Sequence, residues 1–218
     1  MKSLLFPLLG ATFATAATPA QPPTLLELAG VPSRPGHLAA SVVVIIDAQR
    51  EYVDGRLPLA GISAALHQTQ RLLARARAAH VPIVHIQQVS ARGRGVFESG
   101  SPTVEFAPEA APAAGETIIT KKLPNAFVGT TLDDMLHRFG RKELIISGYM
   151  THMCVSATAR SALDHGYHAT VIADACATRD LPNFDGQPVP AATVHRVALV
   201  ELADRFATVV RTLDEIPD

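Results

Sequence analysis

ELIISGYMTHMCVSATAR, residues 143–160, is the stretch that decides how the rest of the chain reads. Leu144, Ile145 and Ile146 make a short apolar run with strand character, Gly148-Tyr149-Met150 is a turn, and Thr151 opens an amphipathic segment. Threonine is a good helix N-cap, and with Thr151 in that role Cys154 becomes the third helical residue. Unpaired backbone N–H groups and the positive end of the helix dipole favour a thiolate there. Cys154 is therefore a candidate nucleophile. Equally, a lone cysteine is a small apolar residue at home in a core, and only a base and a second charge at matching places elsewhere would separate the two readings.

The composition bounds what that site can belong to. A chain of 218 residues, 48% of them apolar, is long enough for one domain with a substantial core. A formal net charge of −1 without a Lys/Arg run provides no electrostatic footprint for nucleic acid, and the lack of Trp removes the best base-stacking side chain. Two cysteines, Cys154 and Cys176, do not make a disulfide framework. At the N-terminus, Lys2 precedes an apolar run from Leu4 to Leu9 that continues to Ala14-Thr15-Ala16, the layout of a secretory signal over residues 1–16. That run is too short to span a bilayer. Export, to a periplasm or beyond, is expected if the signal operates, and a cytoplasmic address otherwise. A Pro-rich arm (17–36) with a short helix at Thr24 to Ala29 leads into a single folded domain, 37–218.

Within that domain, strand and helix patterns alternate. Ser41 to Ile46 is a continuous β-branched run that ends in Asp47, the pattern of a strand buried on both faces. Ile62 to His80 has helical spacing through Ala65, Leu66, Leu72 and Leu73. Val81–Ile86 and Thr117–Thr120 read as the second and third strands, the latter ending in Lys121 and Lys122, with a polar loop from Ser90 to Gly115 between them. Thr131–Phe139 is a helix closed by Gly140, Leu144–Ile146 the fourth strand, and Thr151–His165 a helix stopped by Gly166. Tyr167–Ala173, Pro190–Ala203 and Phe206–Val210 complete the chain as strand, helix and strand. Strands alternating with helices predict an α/β fold with a parallel sheet covered on both faces.

Ligands of open parallel sheets bind at the carboxyl ends of the strands, and three reactive side chains fall at such ends: Asp47, Lys121 and Cys154. A carboxylate accepts a thiol proton, an ammonium stabilises both anions, and a thiolate attacks a carbonyl carbon. Singly, each has a plain structural reading as a strand-end cap, a solvated charge and a core thiol. Together they predict a site.

Three segments carry a family resemblance: VVVIIDAQREY (42–52), KKLPNAF (121–127) and GYMTHMCVSATARSAL (148–163) resemble the signature segments of the isochorismatase-like cysteine hydrolases. The resemblance implies a three-layer α/β/α sandwich with a six-stranded parallel sheet and an Asp-Lys-Cys triad at Asp47, Lys121 and Cys154. Counting back from Phe127 selects Lys121 over Lys122. It further implies a cis peptide at Tyr149–Met150, backbone N–H groups of Met150 and Cys154 as oxyanion donors, and a homo-oligomer, dimer or tetramer. The expected activity is hydrolysis of a small-molecule amide through a thioester, without a cofactor. The thiol favours acyl transfer over the vinyl-ether cleavage of true isochorismatases, which stays open as the alternative beside a non-catalytic or redox thiol domain. Nicotinamidases of this superfamily carry an Asp-x-His metal cluster after the second strand; His85-Ile86-Gln87-Gln88 lacks it, so no metal is expected. Gln49, two residues beyond the base, and the rings of Tyr52 and Phe127 are the expected substrate contacts.

Overall fold

A computed structural model describes residues 21–218, so the expected signal sequence lies outside the described residues. Six strands form one all-parallel sheet in the order β3-β2-β1-β4-β5-β6. They are β1 (Ser41–Ile46), β2 (Ile83–Gln88), β3 (Thr117–Lys121), β4 (Glu143–Tyr149), β5 (His168–Ala177) and β6 (Thr208–Val210). Helices α2 (Ile62–Ala78), α3 (Leu132–Phe139), α4 (Ser156–Asp164) and α5 (Ala191–Arg205) make four of the five connections between strands, a long loop joins β2 to β3, and a short α1 (Leu25–Leu28) precedes the sheet. The chain winds outward from β1 through β2 to β3, then returns to β4 and winds the other way. The order therefore reverses between β1 and β4, where a crevice opens in doubly wound sheets.

The alternation of side chains along a strand explains the three layers. In β1, Val43 and Ile45 join the core that includes Leu66, Leu72 and Leu73 of α2. Val42, Val44 and Ile46 join the opposite core, with Leu132 and Leu136 of α3, Ala159 and Ala162 of α4, and Leu199 and Leu202 of α5. Both faces of the sheet are thus buried, which is why β1 reads as an unbroken β-branched run.

Several element ends differ from the sequence pattern, and the reasons are local. β2 begins two residues late, at Ile83, because Val81 donates to Ala76 O at the end of α2 and Pro82 has no N–H; it runs on through the polar Gln87 and Gln88, which pairs with Lys121. β5 continues past Asp174 to Ala177: the pairing with β4 slips after Ile146–Val171 and resumes at Gly148–Cys176, leaving Asp174 exposed at the irregularity. Phe206 caps α5 by donating to Leu202 O instead of opening β6. The Ser90–Gly115 connection is folded, with short 3₁₀ turns at Pro102–Val104 and Pro108–Ala110 that bury Val104, Ala107 and Ala110. The arm before β1 also docks: Thr24 and Glu27 form a capping box on α1, Leu25 N–H donates to Asp204 of α5, and Leu26 is buried.

Gly148 fixes how closely β4 lies against β1. At φ +143°, a Cβ built there would stand 2.1 Å from the carbonyl oxygen of Ile46. Gly148→Ala should cost about 3 kcal/mol in urea unfolding through backbone strain and overpacking. A loss under about 1 kcal/mol would show that the two strands can part without penalty.

Candidate active site

The three reactive side chains meet at the carboxyl rim of the sheet, around the β1/β4 switch point. Asp47 follows β1 in a left-handed conformation, φ +51°, which Asp tolerates better than most side chains. Its N–H donates to Ile86 O and its carbonyl accepts from Gln49 N–H, a tight turn at the strand end. Lys121 closes β3 with its side chain fully buried, while its neighbour Lys122 is exposed, as strand alternation dictates. Lys121 Nζ lies 2.7 Å from Asp47 Oδ2, donates to Gln88 Oε1 at 2.7 Å, and donates to Cys154 Sγ at 3.3 Å. The approach to Asp47 is a buried ion pair.

The segment that carries Cys154 corrects the helix reading. The Tyr149–Met150 peptide bond is cis, and Thr151–Val155 is one π-helical turn in which Val155 N–H reaches back to Met150 O, before α4 begins at Ser156. Thr151 is not the cap: its hydroxyl bonds His195 Nδ1 of α5 at 2.9 Å, and Cys154 is the fourth residue of the turn.

The thiolate expectation is corrected too. Burial pushes the Cys154 thiol up to about 12, the nearby Asp47 carboxylate adds to the rise, and the Lys121 ammonium only partly opposes them. Burial likewise raises Asp47, against the pull of Lys121. At rest the site holds a neutral thiol beside an ion pair.

Cys154 opens onto a cavity of ≈ 320 Å³ whose walls include Tyr52, Gln88, Phe97, Met150 and Arg179. That volume suits a small molecule. Of the three expected substrate contacts, only Tyr52 lines it. Gln49 is fully buried and uses its amide on the main chain: Nε2 donates to Gln88 O and Val104 O, and Oε1 accepts from Gln88 N–H. Its strand-end position turned it toward β2 instead of the cavity. Phe127 lies in the core of the α3–α5 layer, stacked on His165 at 4.6 Å between ring centroids.

Gln88, Phe97 and Arg179 were not foreseen. Extending β2 by two residues would have exposed Gln88 as a fourth strand-end side chain; Phe97 comes from the long loop and has no sequence signal. Arg179 donates from Nη1 to Asp180 O, while its buried Nε has no hydrogen-bond partner. His85 is held by Glu116, 2.8 Å from Nε2, and among the described residues no group of three or more His, Cys, Asp or Glu side chains could hold a metal ion. A larger hollow of ≈ 420 Å³ beside Ala60, Cys176 and His195 contains none of the three reactive groups.

The fold and site define a three-layer α/β/α protein with a buried thiol at its switch point. Residues 41–214 match the family model described as the isochorismatase domain. The chain is 39% identical to the secreted isochorismatase effector Isc1 of Verticillium dahliae, over 86% of this chain and 96% of that one. It superposes on the crystal structure of an isochorismatase from Pseudomonas putida KT2440 with a TM-score of 0.86 and 40% identity, covering 89% of this chain and 99% of the other. A maleamate amidohydrolase of Pseudomonas putida is 29% identical over 63% of this chain and 72% of its own length. The chain belongs to the isochorismatase family of hydrolases.

The raised thiol makes a direct prediction. Alkylation of Cys154 by iodoacetamide, read by peptide mass spectrometry, should climb from about pH 7 to about pH 10 without levelling off. Asp47→Asn removes the repelling carboxylate and leaves the ammonium, so the curve should move to lower pH. A plateau below about pH 8 in the unsubstituted protein would mean a thiolate at rest.

Proposed function

We propose that this protein hydrolyses the C–N bond of a small-molecule amide through a thioester on Cys154, with Asp47 as general base and acid and Lys121 as the cation that holds the two together. The observation that carries the reading is the position of one buried ammonium within 3.3 Å of both Asp47 Oδ2 and Cys154 Sγ. The amidohydrolase among the relatives supports amide chemistry by analogy.

Asp47 takes the proton of Cys154 as sulfur attacks the carbonyl carbon, and the amide oxygen gains the negative charge. Backbone N–H groups of Met150 and Cys154 are the proposed donors to that oxyanion. Collapse breaks the C–N bond, and the proton on Asp47 leaves with the amine or ammonia. Water then gives a proton to Asp47 and attacks the thioester; the carboxylic acid departs, and the sulfur recovers its proton from Asp47. The balance is amide plus water to acid plus amine. A thiol that is neutral at rest suits this cycle, because Asp47 needs a proton to pass on to a leaving group that is a poor one without it.

Vinyl-ether hydrolysis has no comparable use for the sulfur. Export through residues 1–16 is part of the proposal, supported by the secreted relative.

Cys154→Ala and Lys121→Ala should each lower amide turnover at least about a thousandfold with unchanged circular dichroism. Asp47→Asn should lose amides similarly, yet keep a burst of acylation with a p-nitrophenyl ester, whose leaving group needs no proton. Near-normal amide turnover by Cys154→Ala would sink covalent catalysis.

A further inference from the structure

Gln88 stands at the end of β2, half-buried, between the reacting groups and the cavity. Its main chain is clamped from both sides: Gln49 Oε1 accepts from Gln88 N–H at 2.9 Å, and Gln49 Nε2 donates to Gln88 O at 2.9 Å. Its side chain is oriented by chemistry. An ammonium can only donate, so the atom 2.7 Å from Lys121 Nζ must be the amide oxygen. The NH₂ group is then the free end. It makes no hydrogen bond to any of the described residues and is not among the buried unpartnered atoms, so it faces the open cavity.

Gln88 is not alone in its polarity. The charged side chains on the cavity wall, Lys122 and Arg179, are also donors, and among the described residues no carboxylate lines the cavity. A substrate that filled this space with hydrocarbon would cover those donors without pairing them, which is costly.

Resting on the amide-hydrolase reading, we infer that Gln88 is a specificity-determining residue whose NH₂ donates to a second carbonyl-type oxygen on the substrate, so that the preferred substrates are small amides bearing such an acceptor beyond the scissile group. The contact is preorganised at both ends, by Gln49 on the backbone and Lys121 on the side-chain oxygen. The same residue therefore joins recognition to the cation of the reacting centre.

The test compares isosteric pairs: malonamide against isovaleramide, and succinamide against isocaproamide. In each pair the second carboxamide is replaced by an isopropyl group of similar shape. The protein as it stands should favour the acceptor-bearing member of at least one pair in kcat/KM. Gln88→Met should cut that ratio about tenfold or more, the effect of one hydrogen bond. Any general harm from loosening Lys121 lowers both members and cancels in the ratio. Gln88→Glu keeps an oxygen for Lys121 but has no N–H, and should lose the same discrimination, so the test survives if one variant folds badly. A ratio unchanged in both variants would assign the acceptor to another donor and overturn the inference while leaving hydrolysis intact. Absence of turnover on all four amides, with no acyl adduct on Cys154, would overturn the hydrolase reading and this inference with it.

Discussion

The ion pair between Asp47 and Lys121 is the constraint on which the site depends. Both side chains are 0% exposed, and removing two charges from water costs several kcal/mol per ion before any attraction is counted. The pair persists because the surroundings are arranged for it. Lys121 finds three partners in Asp47, Gln88 and Cys154, which matches the three protons of an ammonium. Asp47 is buried with it, and burial lifts its proton affinity against the pull of Lys121. A carboxylate with raised proton affinity is a better base than one in water, so burial suits Asp47 to the proposed role of proton acceptor. Such a transfer moves charge over a few ångströms inside a group whose net charge stays the same.

Holding that pair in place is the task of the scaffold around the switch point. The left-handed turn at Asp47 is kept by bonds to Ile86 and Gln49. Gln49 then ties Gln88 and Val104 together, joining β1, β2 and the long loop. Two residues further on, the buried Glu51 accepts from Arg56 N–H, Phe97 N–H and the Thr103 hydroxyl. Phe97 packs edge-on against Tyr52 at 5.1 Å, so this carboxylate fixes part of the cavity wall. The DAQREY stretch thus supplies the proposed base, a strand clamp and a loop anchor within five residues. The clamp and the anchor are buried polar side chains satisfied by backbone, the arrangement that makes a loop rigid enough to shape a pocket.

The sheet was legible because its central strands bury both faces, and apolar runs such as Val42–Ile46 mark them as strands. The convergence of Asp47, Lys121 and Cys154 was legible for a topological reason: strand ends in a parallel sheet converge wherever their partners lie in sequence. Ends that carry polar residues were not. Gln87 and Gln88 look like loop, yet they extend β2, and Asp174 looks like a terminus, yet β5 slips past it. Gln49 and Phe127 show the same limit from the other side. Strand period assigns a face, but a Gln that faces a neighbouring strand end bonds its backbone, and a Phe beside His165 and Tyr167 stacks there. The loop residues Val96 and Phe97 reach the cavity through Glu51, a long-range tie that no local pattern records.

The two cysteines form an internal comparison for what makes a thiol reactive. Both are buried, and burial pushes both up to about 12. Proton affinity alone therefore does not tell them apart, nor does position, since Cys176 pairs with Gly148 only a few residues along β4 from the turn that bears Cys154. The neighbours differ. Against Cys176 the one opposing influence is a hydrogen bond with the Gly148 backbone, which neither carries a proton away nor balances a thiolate. Cys154 has the Asp47 carboxylate and the Lys121 ammonium as neighbours, while both thiols border a hollow. A thiol in a dry site becomes a nucleophile when its proton has somewhere to go at the moment of attack, and of the two cysteines Cys154 is the one with a carboxylate and an ammonium beside it.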